Sequence, residues 1–405
     1  MSRVWKQMAG ALLVLALGVA GCGSSGGTSD GGAAGPPGGT SGGNSGAEPI
    51  KIGFFAPITG AAAADGTSAQ RAAELAVEEI NAAGGIDGRE VRLIAHDDRL
   101  DPKEAVNIAN KLIGEKVVAV VSGSYSGPTR AVAPVLQQAR IPMITAYAIH
   151  PEITSHGKYM FRQSFIGSVQ GRAGAEAAVG VLGKKRIAIL YIDNDFGQTL
   201  HQSFKERATG LGATIVAEEK FPAGEKDFGP LLTRIREKNP DLIYVVAYAA
   251  EGSVLVRQAK ALGITAQLLG TEGLDSTEQF LKVAGEAAEG VIITTNLNRD
   301  DTRDVARNFI ANFKQKYGVE PDMVGASTYD AVKVLADAIK RAGSTDPDKL
   351  ADAIRSTKDF EAVTGTIKGY TDKGEVMKTV QLQIVKDGAF RYFGVVDNPE
   401  VYQVP

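Results

Sequence analysis

Two stretches of this 405-residue chain repeat one order of elements, and that order limits the folds available to it. Residues 117–145 read VVAVVSGSYSGPTRAVAPVLQQARIPMIT, and residues 241–270 read DLIYVVAYAAEGSVLVRQAKALGITAQLLG. Each runs from an apolar strand through a loop of small residues into an alanine-rich helix and a second short strand. A continuous apolar strand is typical of a parallel sheet that helices cover on both faces. The pair predicts two similar α/β lobes rather than a short-period repeat.

The same alternation of strand and helix begins earlier, at about residue 48. IKIGFFAP and REVRLIAHDD have strand patterns, and the segment between them is an amphipathic helix that ends at Gly84–Gly85. Asp101 and Pro102 are the expected cap and first residue of the next helix. The fold class predicted is therefore α/β, with two doubly wound lobes. Ligands of such sheets bind outside the carboxyl ends of the strands, so we expect a cleft between the lobes.

Composition excludes several classes of function. The net charge is −3, and the chain has no basic run after its N-terminus, which argues against nucleic acid as a partner. A single cysteine permits neither an internal disulfide nor a cysteine-based metal site. The four histidines are scattered along the sequence. We therefore predict no metal and no cofactor.

The first 47 residues have the anatomy of an export signal followed by a tether. A positive start precedes an apolar stretch that is short for a membrane span, and GVAGC at its end resembles a bacterial lipobox. We predict a lipoprotein signal peptide over residues 1–21, lipid attachment at Cys22, and a disordered Gly/Ser tether over residues 22–47. The protein is then exported and anchored by lipid to the outer face of a bacterial membrane, periplasmic or at the cell surface.

The loop SGSYSGPT at the end of the strand at 117–121 lacks the marks of an enzyme. It has no lysine for a phosphate-binding loop, and GSYSG has Tyr125 where a nucleophile elbow needs serine. We therefore expect no catalysis. Ser126 remains open to two interpretations: it caps a helix that starts at Pro128, or it helps the free N–H groups of that helix to hold a carboxylate.

Other loop residues allow similar alternatives. Glu272 follows an apolar strand and could pair with an ammonium group or cap the next segment. Tyr248 could form an aromatic wall or belong to the core. Asp65 and Asp195 stand at predicted loop tips, where they could reach a cationic ligand or be solvated.

These residues stand within segments that resemble the leucine/isoleucine/valine-type (branched-chain amino acid) substrate-binding proteins of ABC transporters. The resemblance covers about residues 50–393. The segments that carry it are IKIGFFAPITG, ELAVEEINAAGGIDGREVRLIAHDD, DPKEAVNIANKLI, IPMITAYAIHPEIT, FPAGEKDFGPLLTRIREKNPDLIYV, GTEGL, AAEGVIITT and YDAVKVLADAIKRAG.

The resemblance implies the type I periplasmic-binding-protein fold, in which three segments form a hinge between the lobes. On this basis we expect an N-terminal lobe of residues 48–167 and 297–376, and a C-terminal lobe of residues 168–296 and 377–405.

The resemblance also implies a ligand site for an amino acid. Ser126 and the backbone of Ile149 are expected to hold the ligand carboxylate. Glu272 is expected to face the ligand ammonium, and the backbone at Tyr147 and Ala148 is expected to help. The residues expected to shield the ligand or to line its side-chain pocket are Phe196, Tyr248, Tyr125 and Asp65.

This sequence departs from its relatives at several of these positions. Ile149 stands where the relatives have threonine, and Phe196 lacks a phenol oxygen. Asp65 stands near the position of an aromatic residue, and Tyr125 replaces a disulfide cysteine. The residues expected to contact the two charged ends of the ligand are retained, whereas those expected to line the pocket for its side chain differ. Leucine, isoleucine or valine is the expected ligand, and another small amino acid, amide or carboxylate is the alternative.

The resemblance further implies partners. We expect an ABC permease with its ATPase subunits to receive the ligand, and a monomeric binding protein. The alternative role for this fold is a sensory receptor that passes ligand occupancy to a signalling partner.

Overall fold

A computed structural model describes residues 48–402, in which strands and helices alternate as the sequence predicts. In chain order the strands are β1 (Ile50–Ala56), β2 (Val91–Asp97), β3 (Ala119–Ser122), β4 (Met143–Thr145), β5 (Met160–Arg162), β6 (Arg186–Ile192), β7 (Thr214–Phe221), β8 (Leu242–Val246), β9 (Gln267–Gly270), β10 (Ile292–Thr295), β11 (Phe360–Ala362), β12 (Gly365–Ile367), β13 (Gly369–Tyr370), β14 (Val376–Met377), β15 (Val380–Lys386) and β16 (Ala389–Val396). The α-helices are α1 (Ala63–Ala82), α2 (Pro102–Gly114), α3 (Ser126–Gln138), α4 (Glu152–Ser155), α5 (Gly167–Ala175), α6 (Asp195–Gly210), α7 (Gly229–Glu237), α8 (Ala249–Ala261), α9 (Lys282–Ala284), α10 (Asp304–Tyr317), α11 (Met323–Ala342), α12 (Pro347–Arg355) and α13 (Pro399–Tyr402). Further helical turns span Glu176–Val181, Glu272–Leu274, Thr277–Leu281 and Gly285–Ala288.

The first sheet contains five parallel strands in the order β2-β1-β3-β4-β5. Its three inner strands, β1, β3 and β4, are almost fully buried, as their apolar sequences require. The predicted cap of α2 is confirmed, because the side chain of Asp101 accepts hydrogen bonds from the N–H groups of Lys103 and Glu104. The strands all end at one edge of this sheet, where the loops after β3 and β4 lie.

The second sheet contains seven strands in the order β16-β15-β10-β9-β8-β6-β7. Strands β6 to β10 pair in parallel, as in the first sheet, whereas β15 pairs antiparallel with both β10 and β16. Asp387 and Gly388 join β15 to β16, and both have positive φ, at 54° and 69°. A two-residue turn of this kind favours an antiparallel hairpin, so this edge of the sheet departs from the parallel pattern.

Two separate hydrophobic cores lie around the two sheets. The first core takes residues from 50–161 and from 297–376, and the second takes residues from 149–293 and from 380–402. We call the parts of the chain around them the first lobe and the second lobe. The predicted fold class is confirmed, while the limits of each lobe to the residue stay a proposal.

The chain passes between the lobes at three places. These passages follow β5, β10 and β14, and each leads directly into an element of the other lobe. Helices α10 and α11 follow the second passage in the first lobe, where α11 packs against α1. The first lobe is therefore built from distant parts of the sequence.

Arg162, at the end of β5, ties the first passage to the third. Its side chain is fully buried, and Nε lies 2.8 Å from Oε2 of Glu375, which precedes β14. The same guanidinium donates to the carbonyl oxygens of Ala148 and His150 in the loop after β4. A buried guanidinium in this position fixes both the hinge and the loop that faces the second lobe.

We predict that Arg162→Met strongly destabilises the protein, because it leaves the carboxylate of Glu375 buried without its partner. The expected loss in the free energy of unfolding is about 3–5 kcal/mol. The matched control is Arg92→Met, since Arg92 pairs with Glu90 at the surface with both side chains 56% exposed, and we expect it to cost about 0–1 kcal/mol. Denaturant unfolding followed by circular dichroism measures both values, and equal losses would contradict the assigned role.

Candidate binding site

A cavity lies where the carboxyl ends of strands from both lobes meet. Eight of the residues predicted for the ligand site line it: Asp65, Tyr125, Ser126, Tyr147, Ala148, Phe196, Tyr248 and Glu272. The structure thus brings these eight residues together, and Ile149 is not among the lining residues.

Ser126 is the first residue of α3 rather than the cap of a helix that starts at Pro128, so that part of the prediction is wrong. The cap position belongs to Tyr125, whose extended backbone makes no side-chain capping bond. The hydroxyl oxygen of Ser126 accepts a hydrogen bond from the N–H of Ile149 at 3.2 Å. A hydroxyl that accepts one bond still has its own proton, so Ser126 can donate into the cavity.

Ile149 lies behind Ser126. Its side chain is 1% exposed and packs in the core of the second lobe, and its N–H is used by the Ser126 hydroxyl. The resemblance implied that this N–H touches the ligand. In the structure this N–H donates to the Ser126 hydroxyl, and its contact with a ligand stays a prediction.

Tyr147 and Ala148 follow β4 and reach the cavity from the first lobe. The phenol of Tyr147 donates to the carbonyl oxygen of Gly123 at 2.6 Å, and the carbonyl oxygen of Ala148 accepts from Arg162. Both residues are therefore held from behind by groups outside the cavity. Their positions depend on the first lobe alone.

Glu272 enters the cavity from the second lobe. It starts the short helical turn after β9, and its cap is Thr271, so Glu272 itself is not a cap. A Cβ atom on Gly273 would lie 2.3 Å from the carbonyl oxygen of Ala247, so this turn needs glycine to approach the end of β8. Glu272 is 4% exposed, and its Oε2 accepts from the hydroxyl of Ser164 at 3.3 Å.

Burial raises the pKa of Glu272 to about 8. The amide of Gln170, the hydroxyl of Ser164 and the ammonium of Lys378 oppose this rise without cancelling it. The carboxyl therefore lacks enough positive charge around it to stay fully ionised at neutral pH in the empty site. An ammonium group of a ligand would supply that charge.

Aromatic rings form one wall of the cavity. The ring of Tyr248 lies between those of Tyr125 and Phe196, with centroid distances of 4.6 and 5.0 Å and nearly parallel planes. Tyr147 meets Tyr125 edge-on at 6.1 Å. The wall presents the apolar faces of the rings. The phenol oxygens at its edges are buried or hydrogen-bonded.

Asp65 lies between the lobes, in the first turn of α1, and not at a solvated loop tip. It accepts a hydrogen bond from the phenol of Tyr125 at 2.6 Å and another from Gln279 of the second lobe at 3.1 Å. Burial raises the pKa of this carboxyl as well. Asp195 instead pairs with Arg130 at 3.3 Å near the rim of the cleft.

Several lining residues escaped the sequence analysis. They are Gly273, Asp275, Ser276, Met323 and Val324. Gly273 and Ser276 stand beside the predicted Glu272, so proximity in sequence could have suggested them. Met323 and Val324 come from the start of α11, where Asp322 caps the helix by accepting from the N–H of Gly325 at 2.8 Å.

The cavity is lined by acidic side chains, although burial raises the pKa of both Glu272 and Asp65. Asp65, Glu272 and Asp275 line it, and its described lining contains no lysine, arginine or histidine. Arg299 pairs with Asp275, which leaves the other two carboxyls without an ion pair among the described residues. Such a site favours a ligand that brings a positive group and disfavours a simple anion.

Residues 48–402 contain no cluster of three or more histidine, cysteine, aspartate or glutamate side chains that could hold a metal ion. In the same range no helix is long and apolar enough to cross a membrane. The predicted signal peptide, the tether and Cys22 lie outside the described residues.

We predict that Glu272→Gln stabilises the ligand-free protein, and more so at pH 8 than at pH 5. The unfolded chain ionises Glu272 near pH 4.5, whereas the folded protein retains this proton up to about pH 8, so folding is penalised increasingly as pH rises between these values. The expected gain in unfolding free energy at pH 8 is roughly 1–4 kcal/mol. Glu237→Gln is the control, since Glu237 is exposed. A gain from Glu272→Gln that does not grow with pH would contradict the raised pKa of Glu272.

Comparisons with known proteins agree on the family. The sequence model described as "Periplasmic binding protein" matches residues 49–389. The leucine-, isoleucine-, valine-, threonine- and alanine-binding protein of Pseudomonas aeruginosa is 33% identical over 332 residues, which cover 82% of this chain and 88% of that protein.

Solved structures give the same answer. The leucine-binding protein LivK from Thermotoga maritima superposes with a TM-score of 0.79 at 34% identity and covers 87% of this chain and 99% of its own. The branched-chain amino acid transporter substrate-binding protein LivJ from Streptococcus pneumoniae, in complex with isoleucine, has a TM-score of 0.79 at 32% identity, with 86% and 99% covered.

The family consists of substrate-binding receptors rather than enzymes. Both the matched range and the two-lobed fold agree with the resemblance in the sequence. This chain belongs to the periplasmic binding protein family and has its type I fold.

Proposed function

We propose that the protein is an extracytoplasmic receptor that captures an α-amino acid between its lobes and delivers it to an ABC importer. The observation that carries the proposal is one cavity lined by the hydroxyl of Ser126 from one lobe and the carboxyl of Glu272 from the other. An α-amino acid carries a carboxylate and an ammonium on one carbon atom. It can therefore satisfy both groups at once and link the two lobes.

The carboxylate of the ligand would lie against the start of α3. The first N–H groups of a helix have no partner within the helix, and they carry partial positive charge. Helix α3 spans 13 residues and makes no side-chain capping bond at Tyr125. The Ser126 hydroxyl adds a donor whose orientation is set by the N–H of Ile149.

The ammonium of the ligand would lie against Glu272. In the empty cavity this carboxyl has a pKa raised to about 8 by burial, so an ionised Glu272 is costly there. The ammonium offsets this cost and ionises the carboxyl. A ligand without an ammonium group gives no such compensation, which favours amino acids over simple carboxylates and amides.

The side chain of the ligand would lie against the aromatic wall and Met323. These surfaces suit an aliphatic group, and leucine, isoleucine and valine are our first choice. The leucine-, isoleucine-, valine-, threonine- and alanine-binding protein of Pseudomonas aeruginosa and the leucine-binding protein LivK of Thermotoga maritima are each about one third identical to this chain. Another small amino acid is the alternative, because the acidic lining suits the ammonium group of any amino acid.

Closure around the ligand follows from contacts made by both lobes. Each ligand group pairs with a different lobe, so the ligand interacts better with the closed arrangement than with an open one and shifts the population toward it. The three passages between the lobes would act as the hinge. A closed and occupied receptor is then what the importer receives.

We predict that Ser126→Ala and Glu272→Ala each weaken ligand binding by about 2–5 kcal/mol, since the first removes a hydrogen-bond donor to the buried carboxylate and the second leaves the ammonium buried without its partner. Isothermal titration calorimetry with leucine, isoleucine and valine measures the loss. A thermal-shift screen of all the common amino acids and small carboxylates finds the ligand first, since a ligand at one hundred times its Kd stabilises a protein by about 2.7 kcal/mol.

The matched controls are Ser155→Ala in the exposed end of α4 and Glu237→Ala at the end of α7, which should bind as tightly as the wild type. Unchanged affinity in both site variants would overturn the site. Stabilisation by compounds without an amino group alone would overturn the proposed class of ligand.

We also propose that lipid on Cys22 anchors the receptor, as the lipobox-like GVAGC and the tether after it suggest. In a bacterial host, Cys22→Ala is expected to lose incorporated palmitate and to move the protein from the membrane fraction to the soluble fraction. Ser24→Ala is the control and should stay with the membrane. Retention of palmitate by Cys22→Ala would contradict the anchor.

A further inference from the structure

A second, larger space lies next to the binding cavity. It comprises about 700 Å³ and extends along the cleft between the lobes. It shares five lining residues with the binding cavity: Asp65, Tyr125, Ser126, Phe196 and Tyr248. Since the same side chains face both spaces, the partition between them is one layer of side chains thick.

The centre of this partition is a pair of tyrosine rings, one from each lobe. Tyr125 is the cap residue of α3 and Tyr248 is the cap residue of α8, so they stand at corresponding places in the two repeated units. Their rings stack across the cleft at 4.6 Å with 17° between the planes. Stacked pairs of this kind contribute favourably beyond the area that they bury.

The ring of Tyr125 has little freedom to swing away. Its phenol donates to Asp65 at 2.6 Å, and Asp65 also accepts from Gln279 of the second lobe at 3.1 Å. On the other side, Phe196 stacks on Tyr248 at 5.0 Å. Bonds from both lobes therefore hold the partition in place when the lobes are together.

We propose that Tyr125, stacked on Tyr248 and held by Asp65, determines specificity by limiting the length of the ligand side chain. This inference rests on the proposed function, because it concerns the side chain of a bound amino acid. A branched aliphatic group ends before the partition. A longer aromatic group would have to displace the stacked rings and break the bonds to Asp65.

The test compares the Kd of phenylalanine with the Kd of leucine by calorimetry, in the wild type and in two variants. Tyr125→Ala opens the partition into the larger space. We expect it to lower the Kd of phenylalanine divided by the Kd of leucine by about tenfold or more. Tyr125→Phe keeps the ring and loses the phenol bond to Asp65, so it should lower the ratio less than Tyr125→Ala does. Tyr248→Ala removes the opposite ring and should lower the ratio in the same way. It replaces Tyr125→Ala in the test if that variant folds poorly.

An unchanged ratio in the alanine variants that still bind leucine would overturn the partition and leave the proposed function intact. If the wild type binds no amino acid at all, the proposed function fails instead. The partition is then judged on crystal structures of Tyr125→Ala and the wild type. A single continuous cavity in the variant supports it, and a wall rebuilt by neighbouring side chains overturns it.

Discussion

The carboxyl of Glu272 is buried between two lobes, and the rest of the site depends on how that burial is compensated. Burial raises its pKa to about 8, although the ammonium of Lys378 is near enough to oppose the rise. Closing the empty site over an ionised Glu272 is therefore unfavourable. Under the proposed function, a ligand ammonium reverses this preference, so the carboxyl that penalises closure without a ligand would also select for an amino acid. Capture and specificity would then have one physical origin.

A few hydrogen bonds connect the hinge between the lobes to the residues that line the cavity. Arg162 joins the hinge at Glu375 to the carbonyl oxygens of the loop that carries Tyr147 and Ala148. Ile149, at the end of that loop, orients Ser126 through its N–H. A short chain of hydrogen bonds thus links Glu375 to Ser126 at the cavity. Glu272 is placed separately, on the turn after β9.

The sequence was enough to predict the α/β lobes, because continuous apolar strands alternate with amphipathic helices and cap residues such as Asp101 stand where helices start. It misplaced the start of α3, since Pro128 fits anywhere in the first turn, where N–H groups lack partners. The antiparallel pairing of β15 with β16 could have been predicted from Asp387–Gly388, because this dipeptide favours a two-residue hairpin turn. Met323 and the stacking of Tyr125 on Tyr248 had no local signal, because they depend on how distant segments and whole lobes are placed.

The most direct test of the central claim is a crystal structure of the protein with bound leucine. The account predicts the ligand in the cavity between the lobes, with its amino nitrogen within hydrogen-bond distance of a carboxylate oxygen of Glu272. One carboxylate oxygen of the ligand should lie within the same distance of Oγ of Ser126. A ligand bound with its ends reversed, or bound outside this cavity, would contradict the account.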